Sequence, residues 1–87
     1  LDEQNYIETI QTPYFKKISR SEVKSHYVSL LPLEEGLMGV NLKGFKYPLN
    51  DAHVKFSQTV GISNEVEAVE GEVSIQSGAG FLMISRD

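Results

Sequence analysis

The sequence predicts an all-β fold, a compact antiparallel β-sandwich, and three observations carry that expectation. Apolar and polar residues alternate in several short runs. The cleanest covers residues 52–57, where Val54 and Phe56 fall on one side and His53 and Lys55 on the other. No segment sustains a 3.6-residue period. Turn signals rich in Gly, Pro, Ser and Asn recur at roughly the 8–12-residue spacing of sandwiches and barrels.

Taken in order, residues 5–11 read as a first strand through the β-propensity of Tyr6, Ile7 and Ile10. Thr12-Pro13 interrupts it, because Pro cannot donate to a ladder. Residues 14–18 resume as a second strand with Phe15 and Ile18 inward, and residues 19–22 form a polar turn too short for a helix. Residues 25–33 are the most apolar run. With Pro32 inside, they read as a buried strand that ends near the Pro. Glu34-Glu35-Gly36 turns the chain, and residues 37–42 form a strand with Val40 and Leu42 on one face. Gly44 breaks the alternation as a bulge would, re-aiming Phe45 and the residues after it. Residues 48–51 read as a turn. Val60 and Ile62 flank Gly61, and Ser63-Asn64 is an irregular step. Val66 and Ala68 make a short strand, Glu70-Gly71 a hairpin turn, and Val73 and Ile75 a further strand. Residues 77–80 turn again, and residues 81–84 close the chain. The expected core is Leu30, Val40, Leu42, Val54, Phe56, Val73, Ile75, Leu82 and Ile84.

Bulk properties bound the function. Eighty-seven residues make one domain (residues 1–87) with a thin core. A formal charge of −4 argues against a nucleic-acid partner, which calls for clustered Lys and Arg. The absence of Cys excludes a disulfide scaffold, a thiolate nucleophile and a cysteine-ligated metal, and it fits a reducing compartment such as the cytoplasm. No apolar run approaches membrane-spanning length. The opening Leu1-Asp2-Glu3 has no initiator Met, which suggests a piece of a longer polypeptide.

No phosphate-binding Gly-Lys loop, nucleophile elbow or His-Glu-x-x-His pair is present. No catalytic residue and no metal ligand is assigned. His26 and His53 read as surface histidines. Glu65 and Glu67 alternate with apolar residues and read, with Glu70 and Glu72, as a solvated edge. Lys43, Lys46 and Lys55 interleave with Phe45, Tyr47 and Phe56 in a way used for single-stranded nucleic acid, but three lysines in an acidic domain are a weak signal. Tyr47 stands apart. It follows the bulge, and Pro48 restricts its backbone to extended angles. A ring fixed in this way is either a stacking platform for a flat partner or a cap on the edge of the core. Ser63 and Asn64, beside Gly61, could read donors and acceptors on a ligand; a side chain-to-backbone turn is the reading that spacing favours.

These residues also carry a resemblance. Ser29-Leu30-Leu31-Pro32-Leu33, the run Gly39-Val40-Asn41-Leu42-Lys43-Gly44-Phe45-Lys46-Tyr47-Pro48-Leu49, Gly61-Ile62-Ser63-Asn64, Ser77-Gly78 and the closing Ser85-Arg86-Asp87 resemble the C-terminal, thiamine-binding domain of bacterial-type thiamine pyrophosphokinase. Asp2-Glu3-Gln4-Asn5 looks like the segment where that domain begins. The resemblance implies a thiamine-binding β-sandwich that belongs beside an N-terminal α/β nucleotide domain absent from this chain. That domain would carry ATP and Mg²⁺, and pyrophosphate would pass from ATP to thiamine. It further implies a homodimer, with thiamine between one subunit's nucleotide domain and the other's sandwich. By resemblance Tyr47 stacks on the pyrimidine ring, and Ser63 and Asn64 line the same pocket. The chain shows no constellation for phosphoryl transfer and is expected to be inactive alone. The competing reading is a free-standing sandwich that binds a small polar ligand or a partner protein.

Overall fold

The computed structural model describes residues 5–58 and 61–86, so the expectations for residues 2–4 and for Val60 lie outside the described residues. Six strands form one antiparallel sheet: β1 (Tyr6–Ile10), β2 (Tyr14–Ser19), β3 (His26–Lys43), β4 (Leu49–Val54), β5 (Glu70–Ile75) and β6 (Ser77–Arg86). A single 3-10 turn, Arg20–Glu22, stands where the polar turn was expected, and there is no α-helix among the described residues.

Strand β3 is the spine. Its first half pairs with β6, from His26↔Arg86 to Pro32↔Gly80, and its second half with β5, from Asn41↔Ser74 to Lys43↔Glu72. β1 and β2 flank β6 and β5 in turn, giving the order β1-β6-β3-β5-β2. Three long ribbons thus lie side by side, and all bend at one level: residues 11–13, Gln76 to Gly78, and the register shift between Pro32 and Leu37. The bend brings the two outer strands face to face, so that one half of the sheet packs on the other. Gly78 shows how tight this level is. It has φ 111°, and a Cβ there would lie 2.1 Å from the Gly36 carbonyl oxygen.

The core comprises Ile10, Ile18, Val28, Leu30, Leu37, Val40, Leu42, Phe45, Val54, Val73, Ile75, Leu82 and Ile84, with Val23 and Val66 at its margins. Every residue expected in the core is buried except Phe56, which is 58% exposed. β4 ends at Val54, and a turn closed by the Gln58 N–H to the Lys55 carbonyl (3.0 Å) lifts Phe56 off the alternation. Phe15 is a second correction, at 59% exposed. Tyr14, Lys16 and Ile18 hold the inward parity of β2, which Phe15 cannot share.

Boundaries moved for related reasons. β3 does not end at Pro32 or turn at Glu34-Glu35-Gly36. It bends there and continues, because the missing Pro32 N–H falls where the ladder changes register. Residues 49–51 belong to β4, where Asp51, at φ 49°, donates its N–H to Asn41 Oδ1 (2.9 Å) across a bulged register. Glu70-Gly71 and residues 77–80 lie inside β5 and β6, so their glycines serve close packing rather than turns: Gly78 and Gly80 against the backbone of β3, Gly71 against the Phe45 ring. Val66 forms only an isolated bridge to Phe45, and Ala68 is an exposed bend residue outside any strand. His53 is exposed as expected, whereas His26 is half-buried. Its Nδ1 lies 2.9 Å from the Lys24 carbonyl, and its Nε2 is enclosed with no hydrogen-bond partner among the described residues.

A polar cluster closes the seam between the outer strands. The Glu8 carboxylate accepts from the Tyr6 hydroxyl, from the Tyr14 hydroxyl (2.6 Å) and from the Lys16 ammonium (3.1 Å). Partial burial alone would raise the Glu8 pKa. The donors outweigh it and hold the carboxyl below its ordinary 4.5, while burial, then Glu8, push the Tyr14 phenol up. A carboxyl depressed in the native state contributes stability that is complete above the unfolded pKa and is lost as pH falls through the native pKa. Acid titration of stability therefore shows a loss beginning below about pH 4.5 that Glu8→Gln makes shallower. Urea unfolding at a series of pH values checks this; an acid limb unchanged in Glu8→Gln would contradict it.

Candidate functional site

The edge of β3 opposite β6 and β5 is shared by two neighbours. β4 pairs with its second half, and an extended strap, residues 61–66, runs beside its first half. The Leu30 N–H donates to the Gly61 carbonyl (3.0 Å), and Val28 and Asn64 exchange N–H···O=C bonds at 2.7 and 2.8 Å. The Ser63 N–H donates to Ser29 Oγ (2.8 Å), which explains a buried hydroxyl in the middle of an apolar run. At its far end the strap is fastened to the turn after β3. The Lys46 N–H donates to the Glu65 carbonyl (2.8 Å), and the Gly44 carbonyl accepts from the N–H groups of Glu67 (2.8 Å) and Ala68 (3.0 Å).

Gly44 makes that turn possible. Its φ of 77° re-aims the chain as the bulge reading expected, and a Cβ there would meet the Glu70 carbonyl oxygen at 2.4 Å. Phe45 then turns inward and is buried against the core beside Val66, which anchors the turn. Lys46 and Tyr47 remain outside. The Tyr47 side of the question left open by the sequence is answered: Tyr47 is 58% exposed and does not cap the core.

Asn64 ties Tyr47 to the strap. It is 2% exposed, and its side-chain amide faces the Tyr47 backbone. The Tyr47 N–H donates to Asn64 Oδ1 (3.0 Å), and Asn64 Nδ2 donates to the Tyr47 carbonyl (2.8 Å). Oδ1 also accepts the Glu65 N–H at 2.9 Å. The Gly44–Pro48 turn and the Gly61–Asn64 run, some seventeen residues apart, thus meet through one buried amide. Ser63 is brought alongside by its neighbour. It is exposed and held at φ 54°, in the left-handed region that few non-Gly residues occupy.

Lys46 and Glu65 are additions that the sequence pattern did not single out as a pair. Lys46 Nζ lies 5.5 Å from the Tyr47 ring centroid and 4.0 Å from a Glu65 carboxylate oxygen, so one face of the ring already carries a cation. The edge reading of the other acidic residues does not hold for two of them: Glu67 is exposed outside any strand, but Glu70 and Glu72 lie on β5, an inner strand, where Glu72 sits between Lys17 and Lys43 in the ladder. Among the described residues no group of three His, Asp or Glu side chains is placed to hold a metal ion, and no helix is long and apolar enough to cross a membrane.

The family described as "Thiamin pyrophosphokinase, vitamin B1 binding domain" matches residues 16–82, which include β3, the Gly44 turn and the strap. The chain belongs to this family. It is 36% identical over all 87 residues to thiamine pyrophosphokinase of Bacillus subtilis (strain 168). Its fold superposes on crystal structures of the Bacillus subtilis enzyme, at a TM-score of 0.86 and 34% identity, and of thiamin pyrophosphokinase from Geobacillus thermodenitrificans, at 0.82 and 31%. Each match covers the whole of this chain and 40% of the relative, so the chain spans less than half the length of these proteins.

The strained Ser63 gives a test of the strap. Ser63→Gly leaves stability within about 1 kcal/mol of wild type, because relief of the left-handed backbone offsets the added unfolded-state freedom. Ser63→Val, β-branched at positive φ, loses about 1–3 kcal/mol. Chemical denaturation compares the two; equal losses would show that this backbone is not held left-handed.

Proposed function

We propose that this chain is the thiamine-binding part of a thiamine pyrophosphokinase, and that Tyr47, Ser63 and Asn64 form its share of the thiamine site. The observation that carries the reading is an exposed aromatic ring on a backbone pinned by a buried amide. Surface tyrosines ordinarily keep rotamer and backbone freedom; one whose own N–H and C=O, on the two peptide groups that flank its Cα, are both bonded is preorganised for contact. Membership of the vitamin B1 binding family supplies the chemistry that such a ring would meet.

Among the described residues Tyr47 is left 58% exposed, as a half-site would require. Half a site is what a division of labour between domains requires. The N-terminal α/β domain of the full-length protein would hold ATP and Mg²⁺, and in a cytoplasmic homodimer the partner subunit would close the cleft. Transfer of a pyrophosphoryl group to the thiamine hydroxyl needs an acceptor oxygen held in line with the phosphate. This chain's residues would perform that positioning. Tyr47 would stack on the pyrimidine with the ring face that Lys46 leaves free, and the Ser63 hydroxyl, projecting from its left-handed turn, would offer a hydrogen bond. Fixing the acceptor in this way turns a bimolecular encounter into a near-unimolecular step.

Two outcomes are expected. In the full-length protein Tyr47→Ala weakens thiamine binding by about 1–3 kcal/mol, the usual range for a lost aromatic stack on a base. Calorimetric titration with thiamine measures it, and unchanged affinity removes Tyr47 from the site. The 87-residue chain by itself forms no thiamine diphosphate from thiamine, ATP and Mg²⁺. Product detected by chromatography above the enzyme-free control would overturn that assignment.

A further inference from the structure

We infer that Asn64 is a positioning residue, which acts on the ligand through the Tyr47 peptide and does not itself touch it; this rests on the reading of Tyr47 as part of a thiamine site. The inference starts from what a carboxamide can do. Its oxygen accepts two hydrogen bonds and its nitrogen donates two. Asn64 Oδ1 is fully used, by the N–H groups of Tyr47 and Glu65, and Nδ2 reaches the Tyr47 carbonyl at 2.8 Å. The orientation of the amide is fixed by its partners, because a backbone N–H needs the oxygen and a carbonyl needs the NH₂ group. No acceptor is left for a ligand, and at 2% exposure the remaining N–H is enclosed.

The same position explains why Asn serves here. Asp matches the two N–H donors but cannot donate to the Tyr47 carbonyl. Ser is too short to bridge the N–H and the C=O of one residue, and Gln would carry its amide one bond further out. The backbone of Asn64 is itself locked by its reciprocal pair with Val28, so the amide projects from a rigid base. On the other side Phe45, buried two residues before Tyr47, fixes the turn to the core. The Tyr47 peptide is therefore held between two anchors, and only the ring is left facing outward. Loss of the amide frees the backbone on both sides of the Tyr47 Cα and leaves the Tyr47 N–H and C=O to find water, so the ring samples many orientations of which few suit the ligand.

A double-mutant cycle in the full-length protein tests this, with thiamine affinity and the Michaelis constants for thiamine and ATP as readouts. Tyr47→Ala weakens thiamine binding by roughly 5- to 150-fold, the stacking range expressed as affinity. Asn64→Ala weakens it as well, leaves the Michaelis constant for ATP unchanged, and adds nothing further in the Tyr47→Ala background. Full additivity of the two changes would overturn the inference by showing that Asn64 contacts the ligand itself, while the site reading would stand. Unchanged thiamine affinity in Asn64→Ala would overturn it too. If Tyr47→Ala has no effect, the site reading fails first, and the inference falls with it. Should Asn64→Ala fail to fold, Asn64→Asp carries the same cycle. It keeps both acceptor bonds, loses the donor bond to the Tyr47 carbonyl, and is expected to show the same non-additivity with Tyr47→Ala.

Discussion

One buried side-chain amide, Asn64 on the backbone N–H and C=O of Tyr47, is the constraint on which the end of the domain that carries Tyr47 depends. It joins two segments that the sheet alone would leave separate: the turn that leaves β3 and the strap that returns to its edge. A backbone–backbone bond could tie the strap to the turn at one point, as the Lys46–Glu65 bond does. The Asn64 carboxamide, with an acceptor and a donor on one plane, holds both the N–H and the C=O of Tyr47 and so fixes the two peptide groups that flank its Cα. Burial strengthens the arrangement, since each bond is worth more where water does not compete and each lost partner costs more.

The strap in turn needs the bent spine. An 18-residue strand exposes a long edge, and β4 covers only part of it, over Leu37–Leu42. The part beside Val28 and Leu30 would stand as unpaired N–H and C=O groups, a liability for an isolated domain. Residues 61–66 cover it without forming a full strand. Their irregular path is what lifts Ser63 and Asn64 into position. At the opposite side the seam between β1 and β2 is held by Glu8 and its three donors instead of by a ladder. The seam is therefore closed by side chains, whereas the β3 edge is covered by backbone bonds to the strap, with one side-chain amide fixing Tyr47 beside it.

Much of this was legible in the sequence, and the rest was hidden for identifiable reasons. Alternation gave the all-β class and nearly all of the core, because a residue such as Val40 or Leu82 reports its face directly. Gly44 signalled the bulge, and Pro48 directed attention to Tyr47. What periodicity could not show was continuity through a bend. Pro32, Gly36 and Gly78 look like strand ends, yet each sits where three ribbons bend together and so belongs inside a strand. Phe56 and Phe15 misled because a turn and a one-residue parity step override hydrophobicity. For Ser63-Asn64 the spacing favoured a side chain-to-backbone turn; the Asn64 side chain makes such contacts, one to the adjacent Glu65 N–H and two to Tyr47, seventeen residues away, which local sequence could not show. The Glu8 cluster was equally hidden, since it depends on two strands that never pair.

Under the proposed function the domain is a frame that presents the Tyr47 ring to thiamine. The most direct test of this view is a crystal structure of the full-length protein with thiamine bound. The account predicts the pyrimidine stacked on the Tyr47 ring, with both Asn64–Tyr47 hydrogen bonds retained and the Asn64 amide making no contact with the vitamin. Thiamine seated away from Tyr47, or an Asn64 amide swung from the Tyr47 peptide onto the ligand, would contradict it.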